Sequence, residues 1–491
     1  HTRIAFFTTL LFAVHPVHVE AVTWLSARKE VLLGFFSFSS LYFYLMGAGA
    51  SDGTKKGLLY GLASLCFILA ALSKPVAVVL PGLVLLFEVS RKRIGVARFI
   101  TKFLWFVPAV VFSFLVTYIV VRVMVEAEGI FPYRGGGFLS NFLVAFYLVI
   151  LNIKLMALTV NYSPLYILSL PYPVIGSWMF VFVLLNLGLI ALAVFMFRKN
   201  RVFSFAVFWF YISILPYSNI IPISTPFADR YVFVASFAYC LVLALAFERL
   251  WSVKLKGFSR DFFPSFTIPL FVLLLAGYSY MTVHQNRIWR DSVTLWSDAL
   301  AKDPRNNVAM NSLGVIYLNN GMDDKAFELL KKAVEINPID PLAHNNLAIA
   351  YQNLGKYGES EYHFLKALSL KPDLYEPRVN LGNLFVKKGD YDRAIAHFER
   401  MLGDTPGNGR IYFWLGDAQE KAGNLDEAIK NYEKSIELSP HVITPYESLG
   451  RLYMERLNNR EKALYFFREG IQMAPNSRKV REIEDMIKSL M

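Results

Sequence analysis

Hydrophobic positions along the chain follow two regimes. As far as about residue 290 they gather in long apolar runs, at 4–14, 31–48, 57–73, 76–88, 103–121, 138–158, 173–197, 202–215, 231–247 and 264–283. A helix needs about 20 apolar residues to cross a hydrocarbon core of about 30 Å, so these runs predict membrane-spanning helices. Beyond residue 290 the runs give way to alternating apolar and polar residues with a helical period. The shift predicts two units, 1–290 and 291–491, and an all-α chain throughout.

The second regime repeats. Prolines stand at 304, 338, 372, 406, 440 and 475, at spacings of 34, 34, 34, 34 and 35 residues. Leu313-Gly314, Leu347-Ala348, Leu381-Gly382, Leu415-Gly416 and Leu449-Gly450 keep the same step, with Tyr317, Tyr351, Phe385 and Tyr453 four places after the leucines and Gln419 in the odd place. This is the period of tetratricopeptide repeats, helix pairs that bury a core only when stacked. Small residues at 314, 348, 382, 416 and 450 and at Ala326, Ser360, Ala394, Ala428 and Ala463 let paired helices approach. Gly321, Gly355, Gly389 and Gly423 fall where a helix ends in a left-handed turn. The pattern predicts five repeats, a leading half-repeat at 291–303, a closing helix at 476–491 and one inserted residue at Asn458-Asn459. Asn311, Asn345, Asn346 and Asn380 lie on first helices in related registers. They either hold the backbone amides of an extended acceptor peptide or merely face solvent.

Composition agrees with this division. The 491 residues are 55% hydrophobic and 18% charged, with a mean hydropathy of +0.40. The net charge of +12 divides into +15 before residue 291 and −3 after it. Basic charge between apolar runs orients spans rather than binding nucleic acid, so no nucleic-acid partner is expected. Placing the basic clusters around Arg91–Lys102, Arg198–Arg201 and Arg249–Arg260 on one side requires that one run not cross. The run 138–158, with Asn141, Asn152 and Lys154, is expected to lie in the interface as an amphipathic helix, leaving nine spans. Loops 15–30, 122–172 and 216–230 then share the outer face, to which the last span delivers the second unit. Cys66 and Cys240 sit in apolar runs and suggest neither a disulfide framework nor a zinc site. The sequence opens on His1 directly before an apolar run, which reads as a fragment of a longer chain.

Candidate chemistry lies at the ends of the runs. His15, His18 and Glu20 precede Arg28, Lys29 and Glu30; Lys74 stands alone between two apolar runs; Asp229 and Arg230 enter another. Charge of this density at a membrane edge suggests function. Arg28, Lys29, Lys74 and Arg230 are candidates for holding a phosphate, and His15, His18, Glu20 and Asp229 for orienting or deprotonating an acceptor. The adjacent Asp229 and Arg230 read equally as a structural ion pair. No metal cluster is visible, and neither a metal nor a cofactor is expected.

The segments HPVHVEAVTWLSARKEVL, LSKPVAVVLPGLVLLFE and LPYSNIIPISTPFADRYVFV, in this order and followed by the repeats, resemble the transmembrane and tetratricopeptide repeat-containing O-mannosyltransferases and their bacterial relatives. The resemblance implies a polytopic membrane helix bundle of the C-type glycosyltransferase fold, with about eleven spans. It implies glycosyl transfer from a polyprenyl- or dolichyl-phosphate-linked sugar, mannose in eukaryotes, to a protein hydroxyl at the outer or luminal face. It also implies that the main catalytic acid lies in an outer loop upstream of His1. The sole sequon, Asn161-Tyr162-Ser163, is followed by Pro164, which disfavours glycosylation. A bacterial inner membrane with periplasmic repeats is therefore expected rather than an endoplasmic reticulum with luminal ones. A non-catalytic, membrane-anchored scaffold that assembles envelope proteins on its repeats is the alternative; it leaves nine spans with clustered polar ends unexplained.

Overall fold

The computed structural model describes residues 2–91, 104, 107–128, 136–159, 162–166, 174, 178–222, 225–253 and 262–490. Among them every regular element is a helix. The chain divides into two units, His1–Pro304 and Arg305–Met491. The helix Ser292–Lys302, expected as a leading half-repeat, is grouped with the first unit.

In the first unit the sequence-adjacent helices Arg28–Gly49 and Gly53–Ser73 form a hairpin. Its closeness rests on Gly47, where a Cβ would lie 2.9 Å from the Tyr60 ring. The first helix, Thr2–Val14, packs on the much later Ser236–Trp251, and Leu80–Arg91 packs on Arg201–Ile214. Phe7, Leu11, Phe67, Leu83, Leu148 and Phe210 belong to one buried core. Outward faces remain apolar, with Leu184, Phe195, Phe266 and Leu273 exposed. A helix that is apolar all round suits a hydrocarbon solvent. Four described helices, Leu25–Gly49, Gly53–Ser73, Phe138–Leu158 and Phe263–Ile288, are long and apolar enough to cross a membrane, and the chain is a membrane protein. Thr2–Val14 and Pro16–Thr23, bent by 48°, make a fifth if they are one broken span. Of the basic clusters used for orientation, Lys92, Arg93, Arg98, Lys102, Lys254, Lys256 and Arg260 lie outside the described residues.

The asparagines of Phe138–Leu158, expected at the interface, are buried in the bundle. Asn141 is buried and its Nδ2 donates to the Asn219 and Ile220 carbonyls at 2.7 and 3.1 Å. Asn152 is buried as well, and its Nδ2 donates to Leu148 O at 2.8 Å. Protein carbonyls take up the N–H donors of both asparagines, while the buried Asn152 Oδ1 has no partner among the described residues.

The second unit contains five helix pairs: Asn307–Asn319 with Asp323–Ile336, Pro341–Asn353 with Tyr357–Leu370, Tyr375–Lys388 with Tyr391–Asp404, Gly409–Ala422 with Leu425–Leu438, and Ile443–Arg451 with Arg460–Met473. Gly321, Gly355, Gly389 and Gly423 adopt φ of 67°, 73°, 78° and 88°, as a left-handed turn requires. The fifth repeat absorbs its extra residue as a π-helical turn, Leu452–Arg456, followed by Asn458 at φ 49°. The polar Gln419 is satisfied by Asn431, whose Nδ2 donates to its Oε1 at 2.7 Å.

Two predictions follow from this packing. A Cβ on Gly450 would lie 2.2 Å from the fully buried Phe467 ring, so Gly450→Ala is expected to destabilise the repeats by about 1–3 kcal/mol. Gly403, a helical position with open space around it, should gain up to about 1 kcal/mol as alanine; denaturant unfolding of both variants checks the contrast. In the second repeat, His363 Nδ1 sits 2.9 Å from His344 Nδ1, and His344 Nε2 donates to Pro338 O. Burial, and then the neighbouring His344, lowers the His363 pKa to about 4. The unfolded chain therefore holds a proton that the folded one releases. Stability is complete above the unfolded value of about 6.5 and is lost as pH falls through about 4. Hydrogen exchange of Tyr357–Leu370, corrected for intrinsic rate, should accelerate across that window, and His363→Phe should flatten the response.

Candidate functional site

The polar residues singled out from the sequence come from three separated stretches, and the fold gathers most of them at one end of the first unit. His15 caps the turn Pro16–His18, its Nδ1 accepting from Val17 N at 3.2 Å. His18 lies 2.8 Å, Nε2 to Oγ, from Ser236, whose hydroxyl donates to Phe233 O. A hydroxyl has a single proton, so the His18 ring must be the donor. Rings of Phe12 and Phe233 flank His18, and those of Tyr239 and Tyr278 flank His15. Both histidines are buried at the bend.

Glu20, one turn further on, is fully buried and forms an ion pair with Arg230 through Oε1 and Nη1. Its Oε2 also accepts from the Arg230 backbone N–H at 2.8 Å. A second pair joins the buried Glu30 to Lys74, and Glu30 Oε2 accepts from Tyr217 Oη at 2.9 Å. Tyr217 and Tyr231 stack at 4.4 Å, and Lys74 lies 4.5 Å from the Tyr217 ring and 5.3 Å from that of Tyr231. Arg230 completes the row at 5.0 Å from both Trp24 and Tyr231. Two carboxylates and two cations are thus interleaved with aromatic faces in cation–π range. Burial lowers the Lys74 pKa, and the charge of Glu30 opposes that shift.

Asp229 does not pair with its neighbour in sequence. It is buried, and its carboxylate accepts from Tyr166 Oη; that oxygen in turn accepts from Ser163 N at 3.1 Å. Burial first, and then the negative charge of Glu20, raise the Asp229 pKa well above the usual carboxylate range, against the opposing influence of Tyr166, Lys302 and Arg230. Burial and the Glu20 charge both favour the protonated form of this carboxyl. Arg28 and Lys29 instead start the helix Arg28–Gly49 as exposed side chains.

The four asparagines of the repeats come together with one another. Asn380 Nδ2 donates to Asn345 at 3.1 Å, Asn345 Nδ2 to Asn346 at 3.1 Å, and Asn346 Nδ2 to Asn311 at 2.9 Å. Among the described residues no group of three or more His, Cys, Asp or Glu side chains is arranged to hold a metal ion.

Sequence reasoning missed the roles of Glu30, Tyr166, Tyr217 and Tyr231. Tyr217 and Tyr231 stand inside the LPYSN and DRYVF stretches and were within reach; Tyr166 follows no pattern.

The chain is 25% identical over 380 residues to Protein O-mannosyl-transferase Tmtc3 of Drosophila melanogaster, covering 68% of this chain and 40% of the relative. A Caenorhabditis elegans protein O-mannosyl-transferase is 23% identical over 347 residues, covering 68% and 46%. The chain is thus similar, over about two thirds of its length, to proteins named O-mannosyl-transferases. It spans less than half the length of either. Tetratricopeptide repeat models match residues 284–341 and 379–442, and residues 341–374. A solved structure of MamA from Desulfovibrio magneticus RS-1 is 24% identical, covering 34% of this chain and 94% of that one with a TM-score of 0.30.

The pairing of Glu20 with Arg230 generates a stability prediction. Removing one partner leaves the other charge buried, at a cost of about 3–5 kcal/mol. Glu20→Gln or Arg230→Gln should each lower the melting temperature of the detergent-purified chain more than the double variant does.

Proposed function

We propose that the chain acts as a membrane glycosyltransferase. It moves a mannose-like sugar from a polyprenyl-phosphate donor to a protein hydroxyl at the outer, periplasmic or luminal, face, and its repeats recruit the acceptor. The observation that carries this reading is the paired Glu20–Arg230 and Glu30–Lys74 cluster beside the buried, Tyr166-bonded Asp229 at one end of the bundle. Kinship with named O-mannosyl-transferases gives the reaction class.

The chemistry needs few groups. A bond forms between the acceptor oxygen and the sugar C1 while the bond from C1 to the phosphate oxygen breaks. The phosphate departs with the electron pair, and the hydroxyl proton passes to a carboxylate. In this reading Arg230 and Lys74 donate hydrogen bonds to the departing phosphate. Guanidinium carries five N–H donors, and the side-chain pair with Glu20 engages Nη1. Glu20 and Glu30 hold the two cations at fixed positions, and Asp229 takes the proton. His15 and His18 brace the bend, and Arg28 and Lys29 add positive field at its rim. The mutual bonds of Asn311, Asn345, Asn346 and Asn380 offer a peptide a pre-ordered amide row.

Transfer of labelled sugar from a radiolabelled polyprenyl-phosphate mannose in membranes tests the reading. Arg230→Ala and Glu20→Ala should each reduce the rate by about a hundredfold or more. Full activity in both variants would overturn the site.

A further inference from the structure

Lys302 ends the helix Ser292–Lys302 and has no part in the reading above. Its Nζ donates to the Tyr162 carbonyl at 2.7 Å and pairs with Asp298, one helical turn back, at 2.5 Å. Tyr162 is buried, and its hydroxyl reaches Leu155 O at 3.4 Å. The next residue, Ser163, donates its N–H to Tyr166 Oη, which donates to Asp229. A path of direct contacts and one peptide bond therefore runs from the Lys302 ammonium to the Asp229 carboxylate, bridging 73 residues of sequence.

We propose that Lys302 is a positioning residue for Asp229, clamping the Tyr162–Tyr166 segment so that the Tyr166 hydroxyl stays on the carboxylate. This rests on the functional reading in which Asp229 takes the proton. The pair with Asp298 fixes the clamp. A lysine lacking this partner would spend more rotamer entropy on reaching the carbonyl.

The groups acting on Asp229 are Glu20 from the bend, Arg230 beside it, Tyr166 and Tyr162 from the clamped segment, and Lys302 from the helix Ser292–Lys302. Of these, Lys302 both supplies positive charge and holds a segment in place. Its loss removes a stabilising cation and loosens the Tyr166 bond, and both changes favour the protonated carboxyl.

Infrared titration of the purified full chain tests this, following the protonated-carboxyl band that Asp229→Asn abolishes. Lys302→Met should move the Asp229 midpoint upward by about half a pH unit or more. It should also expose the Ser163 amide to hydrogen exchange, and Lys302→Arg should restore both. In the transfer assay the Met variant should lose kcat with KM little changed, its acid limb displaced to higher pH. An unmoved midpoint in Lys302→Met overturns the proposal whatever the activity. A moved midpoint in a chain whose wild type transfers no sugar supports the clamp and rejects the functional reading.

Discussion

Charge cannot be left unpaired inside an apolar bundle, and the end of the first unit is organised around that constraint. Glu20 and Arg230 are 210 residues apart in sequence, and Glu30 and Lys74 are 44 apart. Each pair joins the end of one helix to a segment entering another. An isolated ion in a low-dielectric site costs several kcal/mol, so these four residues hold the bend after Thr2–Val14, the hairpin and the turn before Ser236–Trp251 to one arrangement. The aromatic rings of Trp24, Tyr217 and Tyr231 add cation–π contacts to the pairs. The cluster is neutral and pre-ordered, as a site must be if it is to meet a phosphate without reorganising.

Legibility in the sequence followed the range of the interactions. The repeats were readable because each glycine turn and each helix pair is decided within 34 residues; the four positive-φ glycines and the Gln419 exception stand where the period puts them. The pairings of the site were not readable in the same way. Adjacency suggested Asp229 with Arg230, yet successive side chains on a turn point apart, and tertiary folding brings Glu20 to one and Tyr166 to the other. The helix Phe138–Leu158 shows the same limit. Its asparagines announced a need for hydrogen bonds, but the sequence could not say that the Asn219 carbonyl would accept from Asn141.

The two units solve the problem of polar groups differently. In the repeats the asparagine row from Asn380 to Asn311 is half-buried, with Asn345 buried, and ion pairs such as Lys388 with Glu361 lie along the surface. Exposed pairs of this kind contribute little stability, and the closely packed Gly450–Phe467 type of contact carries the load instead. In the first unit the same residue types are buried and paired, and there they set geometry.

The central claim is that this cluster receives the phosphate of a lipid-linked sugar. Its most direct test is a structure of the full chain with a polyprenyl-phosphate mannose bound. The phosphate is expected within hydrogen-bonding distance of Arg230 and Lys74, with the sugar C1 on the Asp229 side. A phosphate seated elsewhere, with both ion pairs left untouched, would contradict it.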